Sequence, residues 1–289
     1  MARLLFSLLL LFSIVKADST NFTIGLTGKF LETETIWISS PYHGAVESEL
    51  CYPNTGYIIQ FNLHAYSNGW IFNLNGLGEP QKFYKREGYD SDYMRDVLTY
   101  KSIFKSGLDI YSDISVDLGY QVDWLQFYLS YCLYNIKHTM TELEWIIWEY
   151  YIFAEPYPSD GLRSKYEILY SGFGVGLGTS ENVGNNLQMT SFIKYYPISD
   201  LFNEGYWNLR ELRFHHRASN TERLILDLKI LYNLSNKLQI GLGYYYSVFF
   251  GVGKNTCWIE GAKPSSYKFP VNYNIINSGP TISLNYRLK

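Results

Sequence analysis

The segment GYDSDYM, residues 88–94, places two carboxylates one residue apart and beside an aromatic side chain. Asp90 and Asp92 are candidates for one half of a catalytic site, in which they would act together with an acid or base on the opposite side of a cleft. The same segment also fits a polar loop whose charges are only solvated. The elements that carry the two aspartates decide between these interpretations.

The remaining reactive side chains suggest few other chemistries. Cys51, Cys132 and Cys257 are too few and too scattered for a disulfide framework, so at most one bridge is expected. No Cys/His cluster has the spacing of a metal site, so no metal is predicted. No serine and histidine pair in the manner of a lipase. The formal net charge of −3 gives no general attraction to nucleic acid.

The first residues read as a secretory signal rather than as part of the fold. Arg3 precedes an apolar run from Leu4 to Val15, and Val15 and Ala17 occupy the small-residue positions of a cleavage site. The run is shorter than the roughly 20 residues that a membrane-spanning helix needs. We therefore predict a signal peptide over residues 1–17 and a single domain over residues 18–289.

Alternating sequence patterns predict an all-β domain. Aromatic residues make up 18% of the chain, with 28 tyrosines. In IIQFNLHAY, residues 58–66, one set of alternate positions is wholly apolar and the other is mostly polar. In LDIYSDISVDLGY, residues 108–120, alternation places Asp109, Asp113 and Asp117 on one face, which a polar lumen would accommodate. Secreted chains with this composition fit a transmembrane β-barrel or a soluble β-sandwich.

Short and long connections alternate between these segments, which favours the barrel. The short ones are 67–68, 121–123, 180–185 and 235–236, and the long ones are 39–44, 78–105, 142–161, 197–213 and 253–268. Outer-membrane barrels have short periplasmic turns and long extracellular loops. Nine connections predict a ten-stranded antiparallel transmembrane β-barrel in the bacterial outer membrane, with GYDSDYM in the second long loop.

Several segments resemble the omptin family of outer-membrane proteases, in the same order along nearly the whole mature chain. IGLTGKFLETE resembles the first omptin strand, and GYDSDYM falls where the family carries its DQDWMD aspartate pair. Three further segments resemble omptin strands two, three, nine and ten: VESELCYPNTGYIIQFNLHAYSNGWIFNLNG, VGKNTCW and NYNIINSGPTISLNYR. The resemblance implies a ten-stranded barrel with an active site at its extracellular rim.

The resemblance also implies a mechanism and a set of residues. In omptins, an aspartate pair and an Asp–His pair face each other and activate a water that attacks a peptide bond next to Arg or Lys. The aspartate pair corresponds to Asp90 and Asp92, and a glutamate that binds the basic substrate side chain corresponds to Glu32. The histidine would act as general base, and the paired carboxylates would share a proton because like charges raise the pKa of one of them.

Other parts of the chain depart from the omptin pattern. Asn203 and Gly205 stand where the family has its Asp and His, and His216 is the candidate that could replace the missing base. Tyr131 and Lys137 are what remains of the family's lipopolysaccharide-binding segment. Lipopolysaccharide is therefore a possible lipid partner by resemblance, and no other cofactor is predicted.

Two functions stay open at this point. The first is an omptin-like endopeptidase that acts on basic polypeptides. The second is an inactive barrel of the same architecture that acts as an adhesin or binds host surface proteins, for which long aromatic loops are suited. A small porin is a weaker alternative, because ten strands enclose too narrow a lumen for a general pore.

Overall fold

The computed structural model describes residues 20–40, 46–148, 161–209, 211–219, 221–262 and 268–288, without the side chains of residues 77–82 and 148. The predicted signal peptide lies outside these residues. The described chain is almost entirely antiparallel β-strand, as the alternating sequence pattern predicts. No helix in it is long and apolar enough to cross a membrane.

Eleven strands follow one another along the described residues. They are β1 (Asn21–Ser39), β2 (Glu47–Ser67), β3 (Trp70–Met94), β4 (Val97–Val122), β5 (Leu125–Trp148), β6 (Ser164–Asn182), β7 (Leu187–Trp207), β8 (Leu212–Ala218), β9 (Glu222–Asn233), β10 (Leu238–Ile259) and β11 (Phe269–Arg287).

The strands form one sheet that closes into a barrel. Strands β1 to β7 pair in chain order, β10 pairs with β11, and β11 returns to pair with β1, with Thr23 opposite Arg287. Closure satisfies the backbone groups of both terminal strands, which an open sheet would leave unpaired. The barrel architecture predicted from the connections is therefore present.

The strand count differs from the predicted ten because β8 and β9 occupy one position in the ring. Both pair with β7 on one side and with β10 on the other. The β-strand at this position is interrupted near Thr221, which is fully buried against Gly251 of β10. A Cβ on Gly251 would lie 2.8 Å from the Cα of Thr221, so glycine leaves the space that this interruption needs.

One end of the barrel has the short turns that the sequence predicts. Between β2 and β3, Asn68 and Gly69 have φ angles of 50° and 84°, which is typical of a two-residue type I′ hairpin turn. The connections after β4, β6 and β9 are also short. This end is called the short-turn end below.

The opposite end differs from the prediction, because much of the sequence assigned to long loops is strand. β3 and β4 continue to Met94 and from Val97, so a turn at Arg95 and Asp96 replaces the loop predicted over 78–105. The interval 197–213 is likewise mostly β7 and β8. Where a strand extends beyond lipid, its outer face is hydrated, and the apolar alternation that reveals a strand is lost.

An apolar band surrounds the half of the barrel nearest the short-turn end. Its exposed side chains include Leu26, Phe30, Phe61, Ile114, Leu118, Phe127, Leu129, Leu177, Ile193, Leu228, Leu242 and Ile282. Trp70 and Tyr120 make an edge-to-face contact at its lower border, with ring centroids 5.2 Å apart. Above it, charged residues appear on the outer face, as in the outward Lys137–Glu167 ion pair at 3.5 Å.

The lumen is filled with polar residues near the short-turn end and with aromatic residues above them. Asp113 and Asp117 of β4 face inwards, as predicted, and bind Arg223 and Lys194. Asp109 does not follow them. The register of β4 against β5 shifts between Leu108 and Ile110, and this bulge leaves Asp109 exposed.

Candidate functional site

Asp90 and Asp92 lie on β3, close to the turn that joins it to β4, and not in a loop. Asp90 is 4% exposed and is in register with Leu50 of β2 and Ser102 of β4, both of which are buried. Asp92 is two residues further along the strand and is partly buried. The two carboxylates therefore belong to the same wall of the lumen, beyond the apolar band.

A stack of aromatic rings crosses the lumen beside this wall. Tyr52 of β2 lies parallel to Tyr166 of β6, with ring centroids 5.6 Å apart and an interplanar angle of 1°. Burial raises the pKa of Tyr52 well above its ordinary value, and the charges of Tyr166 and Asp90 add to this effect. Tyr52 thus stays a neutral phenol next to the carboxylate of Asp90.

His216 lies at the far side of this stack. Its Nδ1 is 3.1 Å from the hydroxyl of Tyr166, and the edge-on ring of Trp37 is 5.3 Å away between centroids. The imidazole is completely buried, and this burial lowers its pKa to about 3, with a smaller contribution from His215. The structure therefore places the rings of Tyr52 and Tyr166 between His216 and the wall that carries Asp90.

Asn203 and Gly205, which the sequence resemblance matched to the omptin Asp and His, both contact Tyr166. Asn203 is buried on β7 and donates a hydrogen bond of 2.6 Å to the Tyr166 hydroxyl. Gly205 is directly opposite Tyr166 in the sheet, and a Cβ at this glycine would lie 3.0 Å from the tyrosine ring. A histidine at residue 205 would need the space that the Tyr166 ring occupies.

His138 is a second buried histidine that sequence reasoning left without a role. Its Nε2 is 2.9 Å from the hydroxyl of Thr35, its Nδ1 is 3.3 Å from Asn54, and its ring stacks on Tyr52 at 4.8 Å. Burial lowers its pKa to about 3. Neighbouring residues of a strand point to opposite faces, and Lys137 points outwards. This alternation could have placed His138 in the lumen.

Glu32 does not join the aspartates. It points outwards from β1, where its carboxylate is exposed and 3.9 Å from Arg86. Glu32 shares this face with the exposed Leu26 and Phe30, so strand alternation could have placed it outside the lumen. The predicted substrate glutamate and the predicted catalytic pair thus lie on opposite sides of the barrel wall.

The reactive residues of the described chain form no metal site. No group of three His, Cys, Asp or Glu side chains in it is arranged to hold an ion. Cys51, Cys132 and Cys257 are free thiols, so the single bridge that the sequence left open does not form. Burial, together with Glu34 and Glu49, raises the pKa of Cys51 to about 12.

This barrel resembles a solved structure of known activity. The outer membrane protease OmpT from Escherichia coli superposes with a TM-score of 0.72 at 11% sequence identity, over 94% of this chain and 99% of that chain. The chain has an omptin-like outer-membrane β-barrel fold. At this identity the likeness establishes the fold and leaves the activity open.

Other similarities are weaker. The translocator domain of the autotransporter NalP from Neisseria meningitidis has a TM-score of 0.35 at 9% identity, over 99% of this chain and 95% of that chain. The toluene transporter TodX from Pseudomonas putida has a TM-score of 0.30 at 11% identity, over 93% and 90%. No family model and no curated protein matches the sequence.

Proposed function

We propose that this chain is an integral outer-membrane protein of bacteria, with the short-turn end in the periplasm and the other end at the cell surface. The apolar band of exposed side chains and the omptin-like fold support this placement. A barrel crosses a bilayer with its backbone fully hydrogen-bonded, so an outward apolar band is the surface that lipid would cover.

At the cell surface, the proposed activity is binding of basic polypeptides without cleavage. The observation that carries this proposal is the packing of Tyr166 against Gly205. That packing fills the position at which an omptin-like base would stand. His216 is completely buried, and its Nδ1 lies 3.1 Å from the Tyr166 hydroxyl.

Acidic and aromatic side chains near the end opposite the short-turn end suit a basic ligand. Asp92 is in register with Tyr100, whose ring packs against Trp145 with centroids 5.5 Å apart. A carboxylate attracts lysine and arginine side chains, and aromatic faces bind the same cations. This end of the lumen therefore supplies the two kinds of group that recognise basic peptides.

Peptide hydrolysis is the second candidate, favoured by one observation. Asp90 and Asp92 remain together on one wall of the lumen, as the omptin mechanism requires. If a different base serves them, the same basic peptides would be cut rather than only bound.

One experiment separates the two functions. The refolded full chain, with lipopolysaccharide, is incubated with a fluorescent dibasic peptide, and anisotropy reports binding while chromatography reports cleavage. We expect salt-sensitive binding of intact peptide that weakens in Asp92→Asn and is unchanged in Asp200→Asn, an exposed control on the outer face. Cleavage that disappears in Asp90→Asn would establish the peptidase, and neither binding nor cleavage would refute both proposals.

The proposed lipid contact concerns the outer face just above the apolar band. Tyr131 packs on Phe173 with ring centroids 4.6 Å apart, and Lys137 projects outwards beside Glu167. An aromatic ring at the interface and a cation above it fit a phosphorylated lipid such as lipopolysaccharide. Loss of lipopolysaccharide retention by the purified barrel in Lys137→Ala would support this contact, and unchanged retention would refute it.

A further inference from the structure

The lower lumen contains a polar cavity that the peptide-binding end does not use. Its volume is about 690 Å³, which is within the range of ligand pockets. Asn21, Tyr66, Asn236 and Arg287 line it near the short-turn end. Above it, the completely buried Arg223 reaches Asp113, and Phe249 covers the guanidinium at 4.4 Å. This cavity, called the vestibule below, is thus reached from the short-turn end.

Three of the cations in and beside the vestibule are neutralised by its carboxylates. Lys194 binds Asp117 at 2.7 Å. Lys229 binds Asp227 at 3.1 Å, and Arg223 binds Asp113 at 2.6 Å. These pairs use every Asp and Glu side chain that lines the vestibule in the described chain.

Lys29 is a further cation, and it has no such partner. Its side chain lines the vestibule, is 4% exposed and forms no ion pair with a described residue. Its ammonium instead lies 3.7 Å from the centroid of the Tyr245 ring. Asp227 and Asp113 attract the ammonium over a longer distance, but both already bind Lys229 and Arg223, so this side of the vestibule has an excess of positive charge.

Two hydroxyl groups with unused hydrogen-bonding capacity lie next to Lys29. Thr281 is directly opposite Lys29 in the β1–β11 pairing, and Ser283 is opposite Thr27. Both hydroxyls are buried and have no hydrogen-bond partner within the protein. Cross-strand neighbours on one face lie about 5 Å apart at their Cβ atoms, so one ligand group could reach the ammonium and an adjacent hydroxyl together.

Amide side chains line much of the remaining surface. They include Gln60, Asn62, Asn73, Gln126, Gln188 and Gln239. An amide both donates and accepts hydrogen bonds, as sugar hydroxyls require. The faces of Tyr128 and Phe192 add apolar surface of the kind that the carbon side of a sugar ring can cover.

We propose that the vestibule binds a small sugar acid that enters from the short-turn end. Its carboxylate occupies the patch formed by Lys29 and Ser283, which both line the vestibule, and its hydroxyl groups bind the amide side chains. The excess positive charge selects an anion, and the amide lining selects a polyhydroxylated one. The site is separate from Asp90 and Asp92 and does not depend on the peptide-binding proposal.

Isothermal titration of the refolded full chain in detergent tests the proposal, with glucuronate as the probe and glucose and acetate as controls. We expect glucuronate to bind and both controls to bind at least tenfold more weakly. Lys29→Met should weaken glucuronate binding about tenfold or more, because it removes the buried ammonium beside Ser283. Lys165→Met, on the exposed outer face, should leave it unchanged.

A second variant should strengthen glucuronate binding, so the test does not depend only on variants that weaken it. Asp227→Asn removes the partner of Lys229, adds one uncompensated cation, and should tighten glucuronate binding several-fold. Absence of glucuronate binding to the parent protein would overturn the proposal. Acetate binding as tight as glucuronate would overturn the sugar specificity, and equal affinities of the parent and Lys29→Met would overturn the assigned patch.

Discussion

Removing the carboxylate of Asp113 should destabilise the barrel strongly, because Arg223 cannot leave the lumen. The guanidinium is completely buried, and it donates to both carboxylate oxygens of Asp113 at 3.0 and 2.6 Å. Its Nε is 3.1 Å from the hydroxyl of Ser247, and the Tyr245 hydroxyl is 3.1 Å from its second amino group. Asp113→Asn keeps the shape of the side chain and removes the opposite charge.

The size of the effect follows from what remains around Arg223. Neutral hydroxyls and the ring of Phe249 would still contact the guanidinium, but no carboxylate would bind it. Breaking a buried ion pair by removing one partner typically costs about 3–5 kcal/mol, because the remaining charge is left uncompensated. We expect Asp113→Asn to lower the free energy of unfolding by an amount in this range.

Urea unfolding in detergent, followed by tryptophan fluorescence, measures this change. The double variant Asp113→Asn/Arg223→Met should recover most of the loss, since a buried pair replaced by neutral groups of similar volume is often tolerated. Asp109→Asn is the matched control, because this exposed aspartate lies on the same strand. A loss below about 1 kcal/mol in Asp113→Asn, or no recovery in the double variant, would refute the reasoning.

Three further predictions concern other parts of the barrel. Gly205→His should cost about 1–3 kcal/mol in urea unfolding because its side chain overlaps the ring of Tyr166, and adding Tyr166→Ala should relieve this cost. The buried imidazoles of His138 and His216 have pKa values lowered from 6.5 to about 3, so their stabilising contribution is complete above pH 6.5 and is lost as the pH falls towards 3. A double His→Asn variant should therefore show a shallower loss of stability across that pH window. Leu242→Arg places a charge in the apolar band and should cost about 2–4 kcal/mol if the residue is near the middle of the bilayer, measured by refolding into lipid vesicles.

Each of these predictions has an outcome that would contradict it. Gly205→His with parental stability would mean that the Tyr166 ring moves aside readily. Identical pH profiles for the parent and the double histidine variant would show that other groups control acid unfolding. For the band, Asn272→Arg is the control, since this exposed residue of β11 lies near the end of the barrel opposite the short turns. Equal costs at residues 242 and 272 would contradict the assigned membrane region.

The sequence predicts the barrel well where one face of a strand contacts lipid. In 58–66, alternation between apolar and polar residues identifies β2, and the turn at Asn68 ends it where the structure does. The prediction fails in 78–105, because charged residues such as Lys85, Arg86 and Glu87 dominate the outer face of these strands, although Tyr100 and Phe104 are buried on the inner face. A strand without an apolar outer face therefore reads as a loop.

The candidate site is less predictable because it depends on contacts between distant strands. That Asp90 and Asp92 share a wall follows from their spacing of two residues in a strand. The position of Tyr166 over Tyr52 does not follow from any local pattern, because it requires closure of the sheet and a glycine at residue 205. Bulges add a second difficulty, since the one at Asp109 reverses the side that alternation predicts.

Pairing of β1 with β11 also constrains how the protein is made. Thr23 meets Arg287 only after almost the whole chain has been synthesised and exported, so the first strand has an unpaired edge throughout that time. Long-range pairings of this kind form slowly, and unpaired edges promote association with other chains. We therefore expect the barrel to require a holding chaperone before closure, and removal of β11 alone to expose edges on both β1 and β10 and yield aggregates.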